Sequence, residues 1–126
     1  MNPFVSAVLI ALGGASGALA RSGVDALAAR LGIAAPLGTL AVNVSGSFAA
    51  GLVATLITDR VLLSDAARPL LLVGLLGGFT TFSAFALQLT RMGEAGQLPV
   101  LIAYAVGSIL LAVAAASAGV SLARAL

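Results

Sequence analysis

Four long apolar stretches alternate with short polar segments along this chain. They run from about Pro3 to Ala20 (continuing toward Ala29), from Leu37 to Thr58, from Ala67 to Leu89 and from Pro99 to Leu122. A helix needs about 20 predominantly apolar residues to cross the hydrocarbon layer of a bilayer. The pattern therefore predicts an all-α integral membrane protein of four transmembrane helices, which form one domain over residues 1–126.

Charged residues are few, and the pattern places nearly all of them between the apolar stretches. They make up 8% of the chain, whereas hydrophobic residues make up 61% and the mean hydropathy is +1.20. Soluble domains are about 25% charged, so too few polar side chains are present to cover a water-exposed surface. The predicted connections hold Asp25 and Arg30, then Asp59, Arg60, Asp65 and Arg68, then Arg91 and Glu94.

The basic residues give no preferred orientation in the membrane. All six are Arg, and four spans divide them equally: Arg60, Arg68 and Arg124 on one side, and Arg21, Arg30 and Arg91 on the other. Because a bias in Lys and Arg sets the orientation, equal counts favour insertion both ways up and an antiparallel dimer. The alternative is that small counts balance by chance.

Several function classes have little support in the composition. Cysteine and histidine are absent, which removes the usual zinc and haem ligands and the commonest general base. Ser, Thr and Tyr without a neighbouring base do not make an activated nucleophile. Scattered Arg residues are not a nucleic-acid patch. A proton-coupled exporter needs a carboxylate within a span, whereas the four acidic residues fall at or beyond the predicted span ends.

Polar side chains within the spans are costly in lipid and are therefore candidate functional residues. Thr39, Asn43 and Ser47 lie four residues apart on one face of the second span, and Tyr104 and Ser108 do so in the fourth. Asn43 needs a hydrogen-bond partner, which is either a neighbouring helix or a solute that passes along the span.

The segment Gly77–Phe85 combines two glycines with three hydroxyl side chains inside the third span. This composition predicts an interrupted helix, which is tolerated at that depth only where it is buried in protein or lines a cavity. The alternative is a continuous helix whose Ser and Thr side chains bond back to its own carbonyls. Phe82 and Phe85 share one face, and their rings either pack in the core or lipid or aim positive edges at a small anion.

Small residues recur at the spacing of close helix packing. Gly13 and Gly17 form a GxxxG pair, Gly74 and Gly78 form another, and Ser47 with Gly51 extends the pattern. Such residues let helix backbones approach closely in lipid. Arg21, near the end of the first span, either snorkels to the interface or raises the anion concentration at a vestibule.

Three motifs together resemble the Fluc-type (CrcB-like) fluoride channels of microbes over essentially the whole chain. They are Gly13–Ala18 followed by Arg21, then Gly38–Asn43 with Gly46–Phe48, and then Gly77–Phe85. Two positions depart from the family pattern. The family often has Thr where Ala84 stands, and a hydroxyl residue where Ala112 stands.

The resemblance implies an antiparallel, dual-topology homodimer in the plasma (bacterial inner) membrane, with two pathways for passive fluoride efflux that gives fluoride resistance. It implies no enzyme activity. It assigns the fluoride pathway to Asn43, Phe82, Phe85, Thr39, Tyr104 and Ser108, and a vestibule to Arg21. It also implies a structural Na⁺ at the dimer centre, held by the backbone carbonyls of Gly77 and Thr80 from both subunits. A non-transporting assembly subunit stays open as the alternative.

Overall fold

The computed structural model of this chain describes residues 1–59, 62–64 and 66–126, and its secondary structure there is helical. The elements are α1 (Pro3–Arg30), α2 (Ala35–Thr58), a π-helix (Arg68–Leu76), α3 (Gly77–Phe79), α4 (Ser83–Glu94) and α5 (Leu98–Ala125). Four stretches in the described residues are long and apolar enough to cross a membrane: Pro3–Arg30, Ala35–Thr58, Arg68–Glu94 and Leu98–Ala125. The four predicted spans are confirmed.

Helix ends coincide with residues that start or stop helices. Asn2 caps α1 by accepting the Phe4 amide proton at 2.8 Å, and Pro3 occupies the first turn, where a missing N–H costs nothing. Gly32 and Gly96 follow α1 and α4 with φ of 67° and 70°. Glycine adopts this left-handed conformation without steric cost, so the chain reverses at both places.

Helix α4 extends further than the apolar pattern predicts, and α1 ends at Arg30, next to the predicted continuation toward Ala29. The structure corrects the placement of four charged residues in connections, because they belong to helical turns: Asp25 and Arg30 in α1, and Arg91 and Glu94 in α4. Helical hydrogen bonding continues past the apolar segment, since long charged side chains at a helix end reach the polar interface. Arg68 likewise opens the π-helix. Arg60 and Asp65 lie outside the described residues.

The bundle is built from two closely packed helix pairs. One pair joins α1 to the π-helix and α3, and the other joins α2 to α5. A methyl group on Gly13 would overlap the Leu70 carbonyl oxygen, and one on Gly51 would overlap that of Ala116. The predicted role of small residues in close packing is thus confirmed.

Much of the bundle's outer surface is apolar. Phe4 is 74% exposed, Leu110 63% and Val113 61%, whereas Val42 at the centre is 1% exposed. This arrangement fits a protein whose solvent is lipid, where apolar side chains face outward at no cost.

An ion pair joins the ends of the second and fourth spans. Arg124 contacts the Asp59 carboxylate at 3.1 Å, and the Thr58 hydroxyl donates to the same carboxylate at 2.9 Å. The hydrogen bonds from Thr58 and then Arg124 hold the pKa of Asp59 below its ordinary value. The ion pair stabilises the folded protein at pH values above the ordinary carboxyl pKa. This stabilisation is lost as the pH falls through the lowered pKa of Asp59. Its exposure keeps that contribution small.

Candidate functional site

Helical hydrogen bonding stops and restarts within the third span. The last bond on one side runs from the Thr80 amide to the Leu76 carbonyl (3.0 Å), and the first on the other runs from Ala86 to Phe82 (2.9 Å). Thr80 between them is extended, with φ −78° and ψ 157°. Its hydroxyl bonds back to the Leu76 carbonyl at 2.9 Å. The interruption falls within the Gly77–Phe85 segment.

Asn43 of α2 reaches across to this interruption. Its Nδ2 donates to the Thr81 carbonyl oxygen at 2.8 Å, and its Oδ1 accepts the Thr81 amide proton at 2.8 Å. Of the two partners that the sequence left open, the structure therefore provides the neighbouring span, through the non-helical backbone of its interruption. A side-chain amide has the same donor and acceptor as a peptide group, which allows this two-bond pairing.

Arg21 of α1 also contacts the interruption. Its Nε donates to the Gly78 carbonyl oxygen at 3.2 Å, in a partly buried position. Gly78 lies in the short helix α3, whose C-terminal carbonyls carry partial negative charge. A guanidinium group there stabilises the helix end and adds positive charge beside it.

Three aromatic rings form a short row next to the interruption. The Phe82 and Phe85 ring centroids lie 5.7 Å apart, and Phe85 meets Tyr104 edge-on at 5.2 Å. The two phenylalanines have different surroundings, since Phe82 is 78% exposed and Phe85 only 6%. Phe82 is the N-cap of α4 and its carbonyl accepts the Ala86 amide proton, so both rings lie at the first turn of this helix.

A groove of about 400 Å³ lies along the interruption and brings several predicted site residues together. Its lining contains no titratable side chain among the described residues. Ser108 Oγ is buried there and has no hydrogen-bond partner in the described part of the chain. The polar and aromatic lining residues are Asn43, Ser47, Thr80, Thr81, Phe82, Phe85 and Ser108, and the apolar or glycine positions include Leu72, Leu76, Gly77, Ile109 and Ala112.

Thr39 and Tyr104 do not line this groove. They are linked to each other by Gln88, which the sequence did not single out. Gln88 donates from Nε2 to Thr39 Oγ1 at 2.8 Å and accepts from the Tyr104 hydroxyl at 2.7 Å. Thr39 and Gln88 line a second cavity, of about 300 Å³, with Asp25 and Ala84 among its other residues. Gln88 lies three residues after Phe85, so its helical spacing from that ring was the available signal.

The carbonyl groups of Gly77 and Thr80 fit a cation site. Among the described residues, no donor outside the regular helices bonds the carbonyl oxygen of Gly77 or that of Thr80. Both residues line the groove. Free carbonyl oxygens at an unwound helix are suitable ligands for Na⁺.

The sequence matches a known family over most of its length. The profile of the family described as "CrcB-like protein, Camphor Resistance (CrcB)" covers residues 8–120. A relative named "Fluoride-specific ion channel FluC" in Paracoccus denitrificans is 48% identical over 93% of this chain and 93% of its own. Relatives with that name in Rhizobium leguminosarum bv. trifolii and Magnetococcus marinus are 47% identical (97% of this chain, 98% of theirs) and 45% identical (91% and 94%). This chain therefore belongs to the CrcB-like family.

Proposed function

We propose that this protein is a fluoride-specific ion channel that lets fluoride leave the cell passively. Relatives of 45–48% identity over nearly the whole chain carry that name. Fluoride enters cells as the neutral acid and is released as the anion inside. A passive pathway for the anion therefore gives resistance to fluoride. A channel is a transporter and performs no enzymatic reaction.

The uncharged groove carries this proposal. Asn43, Phe82, Phe85 and Ser108 supply amide hydrogens, ring edges and a hydroxyl, and no titratable side chain accompanies them. Fluoride is small and strongly hydrated, so a pathway must replace its water with donors and positive ring edges. Because none of these groups is charged, the anion is not held too tightly to leave. Thr39 and Tyr104 extend the proposed pathway, and Arg21 attracts anions toward it.

The same groove argues against a proton-coupled exporter. Such a transporter needs a carboxylate within the span to carry the proton. Glu94 ends α4 and Asp59 follows the end of α2, whereas Asp25 is an exposed residue in the last two turns of α1 that lines the second cavity and not the groove. Asp65 lies outside the described residues. An assembly subunit would not need polar and aromatic residues gathered at mid-span.

The working unit in this proposal is an antiparallel, dual-topology homodimer with a broken third helix, in the plasma or inner membrane. Phe82 is 78% exposed in one subunit and lies beside polar groups of the groove. A second copy of the chain would separate Phe82 and these polar groups from lipid. Carbonyls of Gly77 and Thr80 from two subunits would hold a structural Na⁺ at the dimer centre. The ion would supply positive charge that offsets the carbonyl dipoles of the interrupted helices.

Fluoride efflux from liposomes that hold the purified protein tests the function. We expect rapid fluoride release on a fluoride electrode and no comparable chloride release, with protein-free liposomes as the control. No fluoride release from well-folded dimers would defeat the channel proposal and favour the assembly subunit. Equal release of both anions would defeat its fluoride specificity.

Dual topology predicts that a C-terminal tag lies on both sides of the membrane in roughly equal amounts, because the Arg counts are balanced. Accessibility of the tag to an impermeant label in intact and lysed cells measures the two fractions. Adding two Arg residues to one side should shift the population. A single orientation in the unmodified protein would contradict the prediction.

Gln88→Leu should slow fluoride efflux several-fold, because it leaves Thr39 and Tyr104 without the partner that orients their hydroxyl groups. Thr39 is only 4% exposed, and an unpaired buried hydroxyl costs about 1–3 kcal/mol. The liposome assay gives the rate, and size-exclusion chromatography gives the folded fraction. Gln97→Leu, at the exposed start of α5, is the matched control. Wild-type efflux in Gln88→Leu would remove this residue from the pathway.

A further inference from the structure

The interruption of the third span removes a consecutive set of helical hydrogen bonds. In a continuous helix the amides of residues 81–85 would bond the carbonyls of residues 77–81. In the structure, bonding stops with the Thr80 amide and resumes with the Ala86 amide. The backbone groups in between need other partners, since unpaired groups at this depth are costly.

The Asn43 side chain bonds two of these backbone groups, the amide and the carbonyl of Thr81. A continuous helix would join the Thr81 amide to the Gly77 carbonyl and the Thr81 carbonyl to the Phe85 amide. Both Thr81 groups bond the Asn43 side chain instead, each at 2.8 Å. The exchange leaves two former partners without a hydrogen bond among the described residues, namely the Gly77 carbonyl and the Phe85 amide.

Neighbouring contacts hold the same open arrangement. Arg21 occupies the Gly78 carbonyl at 3.2 Å, which a continuous helix would give to the Phe82 amide. Thr81 Oγ1 accepts the Ala84 amide proton at 3.2 Å. One turn after Asn43, a methyl group on Gly46 would overlap Thr80, so α2 lies directly against the interruption.

We propose that Asn43 is a positioning residue whose side-chain amide keeps the third span from closing into a continuous helix. This effect passes through Thr81 and is separate from the one Nδ2 hydrogen of Asn43 that remains for an ion. By occupying both Thr81 groups, it leaves the Gly77 carbonyl free toward a cation and the Phe85 amide free toward an anion. This role deepens the proposed channel function, because it concerns the same groove. It also differs from the role of an ion ligand, since only one Nδ2 hydrogen remains for an ion.

Amide hydrogen exchange followed by NMR tests the role on the full-length protein in lipid nanodiscs with no fluoride present. In the wild type, the Phe85 amide should exchange faster than the amides in the middle of α4. In Asn43→Leu the helix can close, and the Phe85 protection factor should rise about tenfold or more, because a helical bond must then open before exchange. Ser47→Ala, on the same groove, should leave Phe85 unchanged. Equal Phe85 protection in wild type and Asn43→Leu would overturn the proposal.

Asn43→Asp gives a second test if the leucine variant does not fold. A protonated aspartic acid can donate to the Thr81 carbonyl and accept the Thr81 amide proton, whereas the carboxylate can only accept. Phe85 protection, normalised to the intrinsic exchange rate, should therefore increase with rising pH in this variant and stay constant in the wild type. A pH-independent value in the variant would overturn the proposal. Since no fluoride is used, that failure would leave the channel function to be decided by liposome efflux.

Discussion

Gly17→Ala is expected to destabilise the protein by about 1–3 kcal/mol or more, the usual cost of overpacking a tight contact. The added methyl group would overlap the Leu75 carbonyl oxygen and lie 2.8 Å from the Phe79 amide nitrogen. Both are backbone atoms, which cannot rotate away as a side chain does. Helix α1 would have to move away from the third span just before its interruption, so fluoride efflux should fall as well.

Thermal unfolding of the purified protein measures the effect of this substitution. Gly23→Ala is the control on the same helix, because nothing lies within 4 Å of the position of its added methyl group. Alanine in a helix interior is favoured over glycine by roughly 0.5–1 kcal/mol, so this variant should match or exceed the wild type. Equal stability of Gly17→Ala and wild type would contradict the close approach of α1 to the third span.

Phe85→Ile and Phe82→Ile are each expected to slow fluoride efflux by roughly tenfold or more, which corresponds to about 1.4 kcal/mol at the barrier. Isoleucine keeps an apolar side chain but has no positive ring edge to offer an anion. Phe85 also contacts Tyr104 at 5.2 Å, and that edge contact is lost. The protein should still fold, since an apolar side chain continues to occupy each position.

Liposome efflux and size-exclusion chromatography separate the two effects. Phe4→Ile is the matched control, because that ring is 74% exposed near the start of α1. It should conduct as the wild type does. Unchanged efflux in Phe82→Ile or in Phe85→Ile would remove that residue from the proposed pathway.

The apolar pattern predicted the spans well, because length and hydropathy are properties of each segment by itself. Gly13 and Gly17 were also predictable as a packing face, since helical spacing places them one turn apart. The end of the third span was not, because hydrogen bonding in α4 continues past Leu89 to Glu94 regardless of the side-chain polarity.

Several residues that line the groove stood out in the sequence, but their hydrogen-bond partners did not. Asn43 stood out as an amide in an apolar span, yet its partner is the backbone of Thr81, and a backbone group has no sequence signal. Gln88 was not predicted because it adjoins the predicted end of the third span at Leu89, and polar residues are common at helix ends. The π-helix Arg68–Leu76 was not predicted, since its apolar run has no distinct period.

The two close helix pairs have a consequence for how the chain is made. Neither pair joins neighbours along the sequence, because α1 packs on the third span and α2 packs on α5. The spans are synthesised in order, so the glycine face of α1 has no packing partner until the third span has been made. Likewise, Gly51 of α2 has no packing partner until Ala116 of α5 is made, near the end of translation. A nascent chain that stops before α5 therefore leaves the small-residue face of α2 exposed to lipid.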